Sequence, residues 1–209
     1  MSKEYKDEEG EFLVKLARTS IETYLEKEKI IPPPENTPEK LKEKSGVFVT
    51  LQKISGETKN LRGCIGHPYP DSPLVSATID SAISSATRDP RFPPVKMPEM
   101  DEISITVTIL TPPKLIEVKT PKEYFEKVVI GRDGLIVERG NYARGLLLPQ
   151  VPVDFDWDKE EFLANTCMKA GLPPDAWVVD GTKIYSFQSI IFEEETPKGK
   201  IERRELLKY

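Results

Sequence analysis

Apolar residues recur at helical spacing from about Glu9 to Glu28, where Phe12, Leu16, Ala17, Ile21, Tyr24 and Leu25 share one face, and this predicts a first amphipathic helix. Ile31-Pro32-Pro33-Pro34 is expected to stop it, because proline lacks the donor that a helix needs. The period then changes. Val47-Phe48-Val49-Thr50-Leu51 predicts a strand over Gly46 to Gln52, Ser55-Gly56-Glu57-Thr58 supplies a turn, and Leu61 to Ile65 returns as the second strand of a hairpin. Ser72 and Pro73 open a helix with Leu74, Val75, Ile79, Ala82, Ile83 and Ala86 as its buried stripe. Ile103 to Leu110 alternates strictly and predicts a half-buried strand.

Further along, Thr120-Pro121-Lys122-Glu123 fits a capping box that opens a short helix to about Lys127. Strands are expected at Gly134 to Glu138 and Arg144 to Leu148, and the apolar run Leu146-Leu147-Leu148 predicts burial on both faces. Asp158-Lys159-Glu160-Glu161 is a second capping box, with Phe162, Leu163, Thr166 and Cys167 facing inward and Gly171 as the stop. The last strand spans Lys183 to Phe192. Strands and helices interleave and successive strands are hairpin-linked, so the expected fold class is α+β, a mostly antiparallel sheet flanked by helices.

Composition narrows the function classes. The 209 residues are 38% hydrophobic and 31% charged, as in globular chains, and no apolar run is long enough to cross a bilayer. The charged start, Met1 to Glu11, lacks the features of a secretory signal, so a cytoplasmic location with no membrane partner is expected. A formal charge of -5 argues against broad nucleic-acid binding. The mixed-sign tail Lys198 to Arg204 is the place for a local basic patch, or else plain solvated surface.

The densest candidate chemistry lies in Leu61-Arg62-Gly63-Cys64-Ile65-Gly66-His67-Pro68, which holds one of two cysteines and the only histidine. Its glycines suggest a sharp bend that also admits close approach by another group. Cys64 is either a small packed side chain or a thiol activated by Arg62, His67 and the N-terminus of the following helix. His67 is read as a surface turn residue or as a ligand contact. Cys64 and His67 make half of a zinc site whose other half is missing, so no metal is expected. Arg62 either pairs with an acid such as Asp89 or binds ligand. Arg91, in the proline-braced stretch Asp89-Pro90-Arg91-Phe92-Pro93-Pro94, is the better anion binder, with Asp89 placed to fix it. No glycine-rich nucleotide loop is present, so a nucleotide would have to be held some other way, and the cofactor is unknown from the sequence.

In order along the chain, Leu61 to Gly66, Asp89 to Pro94, Leu110-Thr111-Pro112-Pro113, Gly134-Leu135-Ile136, Gly145 to Val151, Ala170-Gly171-Leu172 and Ile191 to Glu194 resemble the AMMECR family, whose biochemical activity is unassigned. The resemblance covers residues 9–204. It implies one domain with two lobes, the larger drawing on both chain ends and the smaller on the middle, with a cleft between them, flanked by charged termini at 1–8 and 205–209. It also implies a modification pathway shared with radical-S-adenosylmethionine and Memo-type proteins. Many relatives have Thr in place of His67 and His in place of Asp133, so chemistry common to the family cannot rest on His67. Three readings of function follow. One is an enzyme or small-molecule binder for a small anionic ligand, with Cys64 as candidate nucleophile and Arg62, Gly63, Gly66, His67, Asp89 and Arg91 around it. The others are a non-catalytic protein adaptor and, more weakly supported, an RNA- or DNA-binding protein.

Overall fold

The computed structural model describes residues 5–56 and 58–204, and the expectations for residues 1–4 and for the stretch 205–209 lie outside these. In chain order the elements are α1 (Asp7–Lys27), β1 (Gly46–Ser55), β2 (Thr58–His67), α2 (Leu74–Thr87), β3 (Ile103–Leu110), β4 (Lys114–Leu115), α3 (Tyr124–Lys127), β5 (Asp133–Arg139), β6 (Ala143–Leu147), α4 (Val151–Asp154), α5 (Lys159–Lys169), β7 (Thr182–Glu194) and β8 (Ile201–Arg204). The chain is a mixed α+β fold with antiparallel strand pairing and flanking helices. It divides into two compact units, one built from the chain up to Leu110 and again from Ile190, the other from Thr111–Ser189.

In the first unit β1 pairs with β2 on one side and β3 on the other, and the outer end of β7 pairs with β8. Helices α1 and α2 cover the face that carries Val47, Val49, Leu51, Ile105, Val107 and Ile109, all fully buried. Each such side chain contributes about 1.5–3 kcal/mol when removed from water. The buried stripe of α1 keeps the expected Leu16, Ala17 and Ile21 and widens to Gly10, Leu13 and Val14, while Phe12, Tyr24 and Leu25 pack at its margin. The prolines do not stop α1. Glu28 does so, taking a left-handed φ of 51° and returning its N–H to the Tyr24 carbonyl at 2.8 Å.

Two further expectations change. β3 is buried along its whole length, so its alternation marks the short hydroxyl side chains of Ser104, Thr106 and Thr108 rather than an exposed face. The tail is not loose solvated surface. It turns back as β8, where Arg203 reaches Asp7 at 2.9 Å and the Tyr5 carbonyl at 2.6 Å while its guanidinium covers the Phe192 ring. Arg18, buried on α1, is held by both oxygens of Glu194 at 2.7 and 2.6 Å and by the Ile103 carbonyl at 2.6 Å. A buried charge is tolerable only with such pairing.

The second unit pairs β5 with β6 and with the inner part of β7, which also takes the short β4. Helix α5 packs Phe162, Leu163 and Cys167 into its core. The Asp158 box is as the sequence predicts, with the Glu161 N–H donating to Asp158 at 2.8 Å and the Asp158 N–H to Glu161 at 2.9 Å. The Leu146-Leu147-Leu148 run is only partly buried, since β6 is an edge strand with one neighbour. Among the described residues no helix is long and apolar enough to cross a membrane.

Candidate functional site

The segment around Cys64 is continuous strand. β2 runs through Gly63, Cys64 and Gly66, and neither glycine has a positive φ, so the expected sharp bend is absent. Close approach explains both positions. A Cβ on Gly63 would lie 2.1 Å from the Ser85 carbonyl oxygen of α2, and one on Gly66 would lie 2.3 Å from the Val47 carbonyl oxygen and 2.5 Å from the Phe48 ring. The one irregularity is a β-bulge. Leu51 pairs with Gly63 and Gln52 with Leu61, which leaves Arg62 as the extra residue.

β2 is the edge of its sheet, and the outward N–H of Cys64 finds a partner other than a strand, while the Ser85 hydroxyl inserts on the side that faces β1. Cys64 N–H donates to Asp89 Oδ2 at 2.8 Å and Ile65 N–H to Ser85 Oγ at 2.8 Å, while the Ser85 hydroxyl donates to the Val49 carbonyl at 2.7 Å. Asp89 is 4% exposed and also accepts from Arg91 Nε at 2.9 Å, Arg91 Nη2 at 2.7 Å and the Arg91 N–H at 3.1 Å. The bonds from the Arg91 guanidinium, joined by the two backbone N–H groups, hold the Asp89 carboxyl well below the usual carboxylate range, against the opposite push of burial. The same pairing raises Arg91.

Arg62 and Arg91 therefore do different things. Arg62 does not pair with Asp89. Its fork closes on Glu99 at 3.0 and 3.2 Å, and its Nη1 donates to the Pro93 carbonyl at 2.9 Å, which braces the loop after α2. The Arg91 side chain is 54% exposed, and its Nη1 has no hydrogen-bond partner among the described residues. Both guanidiniums flank the Phe92 ring, at 6.0 and 5.5 Å from its centroid.

Cys64 is partly exposed, and its thiol accepts a hydrogen bond from the Thr50 hydroxyl at 3.3 Å across β1 and β2. The N-terminus of α2 is not beside it. α2 runs back along β2, so Cys64 neighbours the last turn of the helix near Ser85, and its positive dipole end lies elsewhere. His67 also stands apart. It is the last residue of β2, three positions on from Cys64 and thus on the opposite face, and its Nε2 meets Asp80 of α2 at 2.7 Å. Cys167 is fully buried, and burial pushes its thiol up to about 11.

The structure thus brings Cys64, Asp89 and Arg91 together, sets Gly63 and Gly66 as packing positions, and places Arg62 and His67 in separate pairs. All lie in the first unit. Thr50, Ser85 and Glu99 complete the arrangement and were not singled out from the sequence, where each looks like an ordinary strand or helix residue. Among the described residues no cluster of three or more His, Cys, Asp or Glu is placed to hold a metal ion.

Comparison with known proteins agrees with the motif pattern. The AMMECR1 family profile matches residues 14–192. Protein PYRAB00100 of Pyrococcus abyssi is 59% identical over 203 residues, covering 97% of this chain and 98% of its own length. Protein MJ0810 of Methanocaldococcus jannaschii is 56% identical over 200 residues, covering 96% and 97%. The crystal structure of the uncharacterized protein PH0010 from Pyrococcus horikoshii superposes with a TM-score of 0.87 at 59% identity, over 97% of this chain and all of the other. With the profile spanning most of its length and relatives this similar end to end, the chain belongs to the AMMECR1 family.

Proposed function

We propose that the protein binds a small anionic ligand, a carboxylate or phosphate, at the edge of β2 where Arg91 and Cys64 meet. One observation carries this reading. Asp89 fixes the backbone of Cys64 and the guanidinium of Arg91 with the same carboxylate, yet leaves the Arg91 Nη1 edge without a partner among the described residues and Cys64 partly exposed. A guanidinium already immobilised loses little entropy on meeting an oxyanion. Because Asp89 occupies the Nε side of the fork and offsets its charge, the ligand meets one edge of Arg91 rather than the bidentate face, and modest affinity follows, about millimolar for a simple anion.

Cys64 is the candidate reactive atom of this site. The Thr50 hydroxyl donates to its sulfur and fixes its position, whereas the chain's only histidine lies on the other strand face. General-base activation of Cys64 by His67 is therefore not part of the proposal. Titration of the labelled protein with inorganic phosphate, followed by backbone amide shifts, tests it. Saturable shifts at Cys64, Arg91 and Phe92 are expected in the wild type, weakened in Arg91→Lys and lost in Arg91→Gln. Equal shifts in all three proteins would remove Arg91 from any binding site.

A further inference from the structure

The second unit carries a surface that the β2 site does not use, the sequence Asp154-Phe155-Asp156-Trp157-Asp158 that joins α4 to α5. Trp157 packs against the core of that unit and donates its backbone N–H to the Pro152 carbonyl at 2.8 Å. Phe155 is stacked on it, centroids 5.1 Å apart and planes 21° from parallel, yet is 66% exposed. Its ring is held outward on an anchored neighbour and not left over from loose packing. Between the two rings the chain turns at Asp156, a non-glycine residue in the left-handed region at φ 52°. Such backbone is uncommon outside glycine and needs surrounding structure to hold it.

The charges around the rings are uncompensated. Asp158 and Glu161 are consumed in capping α5, which explains their presence. Asp156 suits its left-handed backbone, as short polar side chains do, but that role leaves its charge unneutralised, and Asp154 has no such role. Both are exposed, and neither carboxylate has a hydrogen-bond or ion-pair partner among the described residues. Lys159, the nearest cation in sequence, points its Nζ at the Phe125 carbonyl, 2.6 Å away. An exposed aromatic ring attracts a cation over its face, and flanking carboxylates strengthen and orient that contact.

We propose that the Phe155–Trp157 stack with Asp154 and Asp156 is a docking surface for a basic peptide segment of a protein partner, with an arginine over the free face of Phe155 and its fork toward the carboxylates. Arginine is favoured over lysine because its planar guanidinium both stacks and pairs bidentately. This site is independent of the one at Cys64 and Arg91.

The test uses the full chain and a fluorescent peptide of alternating glycine and arginine, with lysine and glutamate counterparts, read by anisotropy at low and physiological salt. The arginine peptide is expected to bind best and the glutamate peptide not at all. Phe155→Ala should weaken binding about tenfold, and the double change Asp154→Asn with Asp156→Asn should weaken it similarly and flatten its salt dependence. Amide shifts on binding should centre on residues 154–161, and circular dichroism should show that the variants stay folded. Absence of binding, or equal binding to wild type and variants as expected from the chain's overall negative charge alone, would overturn the proposal.

Discussion

Asp89 and Cys64 are joined through the main chain of one and the carboxylate of the other. Asp89 Oδ2 accepts the Cys64 N–H at 2.8 Å and, with Oδ1, closes on the Arg91 fork. An edge strand ordinarily exposes its N–H groups to any passing strand. Here the loop after α2 takes the place of the missing neighbour, and the same contact that protects β2 positions Arg91 beside the Cys64 carbonyl.

Asp89→Ala is expected to destabilise the first unit by about 2 kcal/mol, because it leaves a partly buried N–H without its acceptor and frees Arg91, whose own half-exposed charge adds little. Asp89→Asn should cost less, since one oxygen remains. Urea unfolding midpoints check both.

The pH dependence follows from the same group. With its folded pKa depressed, Asp89 contributes stability above the unfolded carboxylate value near ~4, and that contribution fades as pH falls through the folded value. Thermal unfolding of the wild type should therefore show a loss of stability below that pH that is smaller in Asp89→Asn. Parallel curves for the two proteins would show that Asp89 is not the coupled group.

Gly63→Ala and Gly56→Ala separate crowding from backbone strain. At Gly63 the added methyl meets the α2 backbone at 2.1 Å, so the helix must move and a loss of about 3 kcal/mol is expected, or failure to fold. At Gly56 none of the described residues lies within 4 Å and only the positive φ of 61° is penalised, about 1 kcal/mol. Comparable losses at the two positions would contradict the close packing of β2 on α2.

Glu194→Gln removes the charge that neutralises buried Arg18, and a loss of about 3 kcal/mol in unfolding free energy is expected. Arg18→Met, which deletes the cation but keeps a long side chain, leaves the Glu194 charge buried and should be equally harmful. The pair changed together should recover part of the loss, which a double-mutant cycle measures.

Much of the fold is legible in the chain because local signals agree with it. The hairpin of β1 and β2, the α2 stripe and the Asp158 capping box are each written in neighbouring residues. What escaped depends on distant partners. Whether Ser104, Thr106 and Thr108 face water or lie buried is set by where β3 sits in its sheet, and β8 forms only because β7 offers it an edge. At the candidate site the residue types stood out, but their pairing did not. Arg62 and Arg91 look alike in sequence, and only the bulge at Arg62 sends one to Glu99 while the other stays with Asp89. Asp133 repeats the pattern in the second unit, buried and clasped by the adjacent Arg132 at 2.6 and 2.7 Å.

Alkylation by iodoacetamide, with the label located by peptide mass, compares the partly exposed Cys64 with fully buried Cys167 in one native protein. Cys64 should be modified in the folded chain, phosphate should slow that modification in the wild type but not in Arg91→Gln, and Cys167 should react only on unfolding. If Cys64 were as protected as Cys167, or if phosphate left its rate unchanged, no anion site would exist beside the thiol.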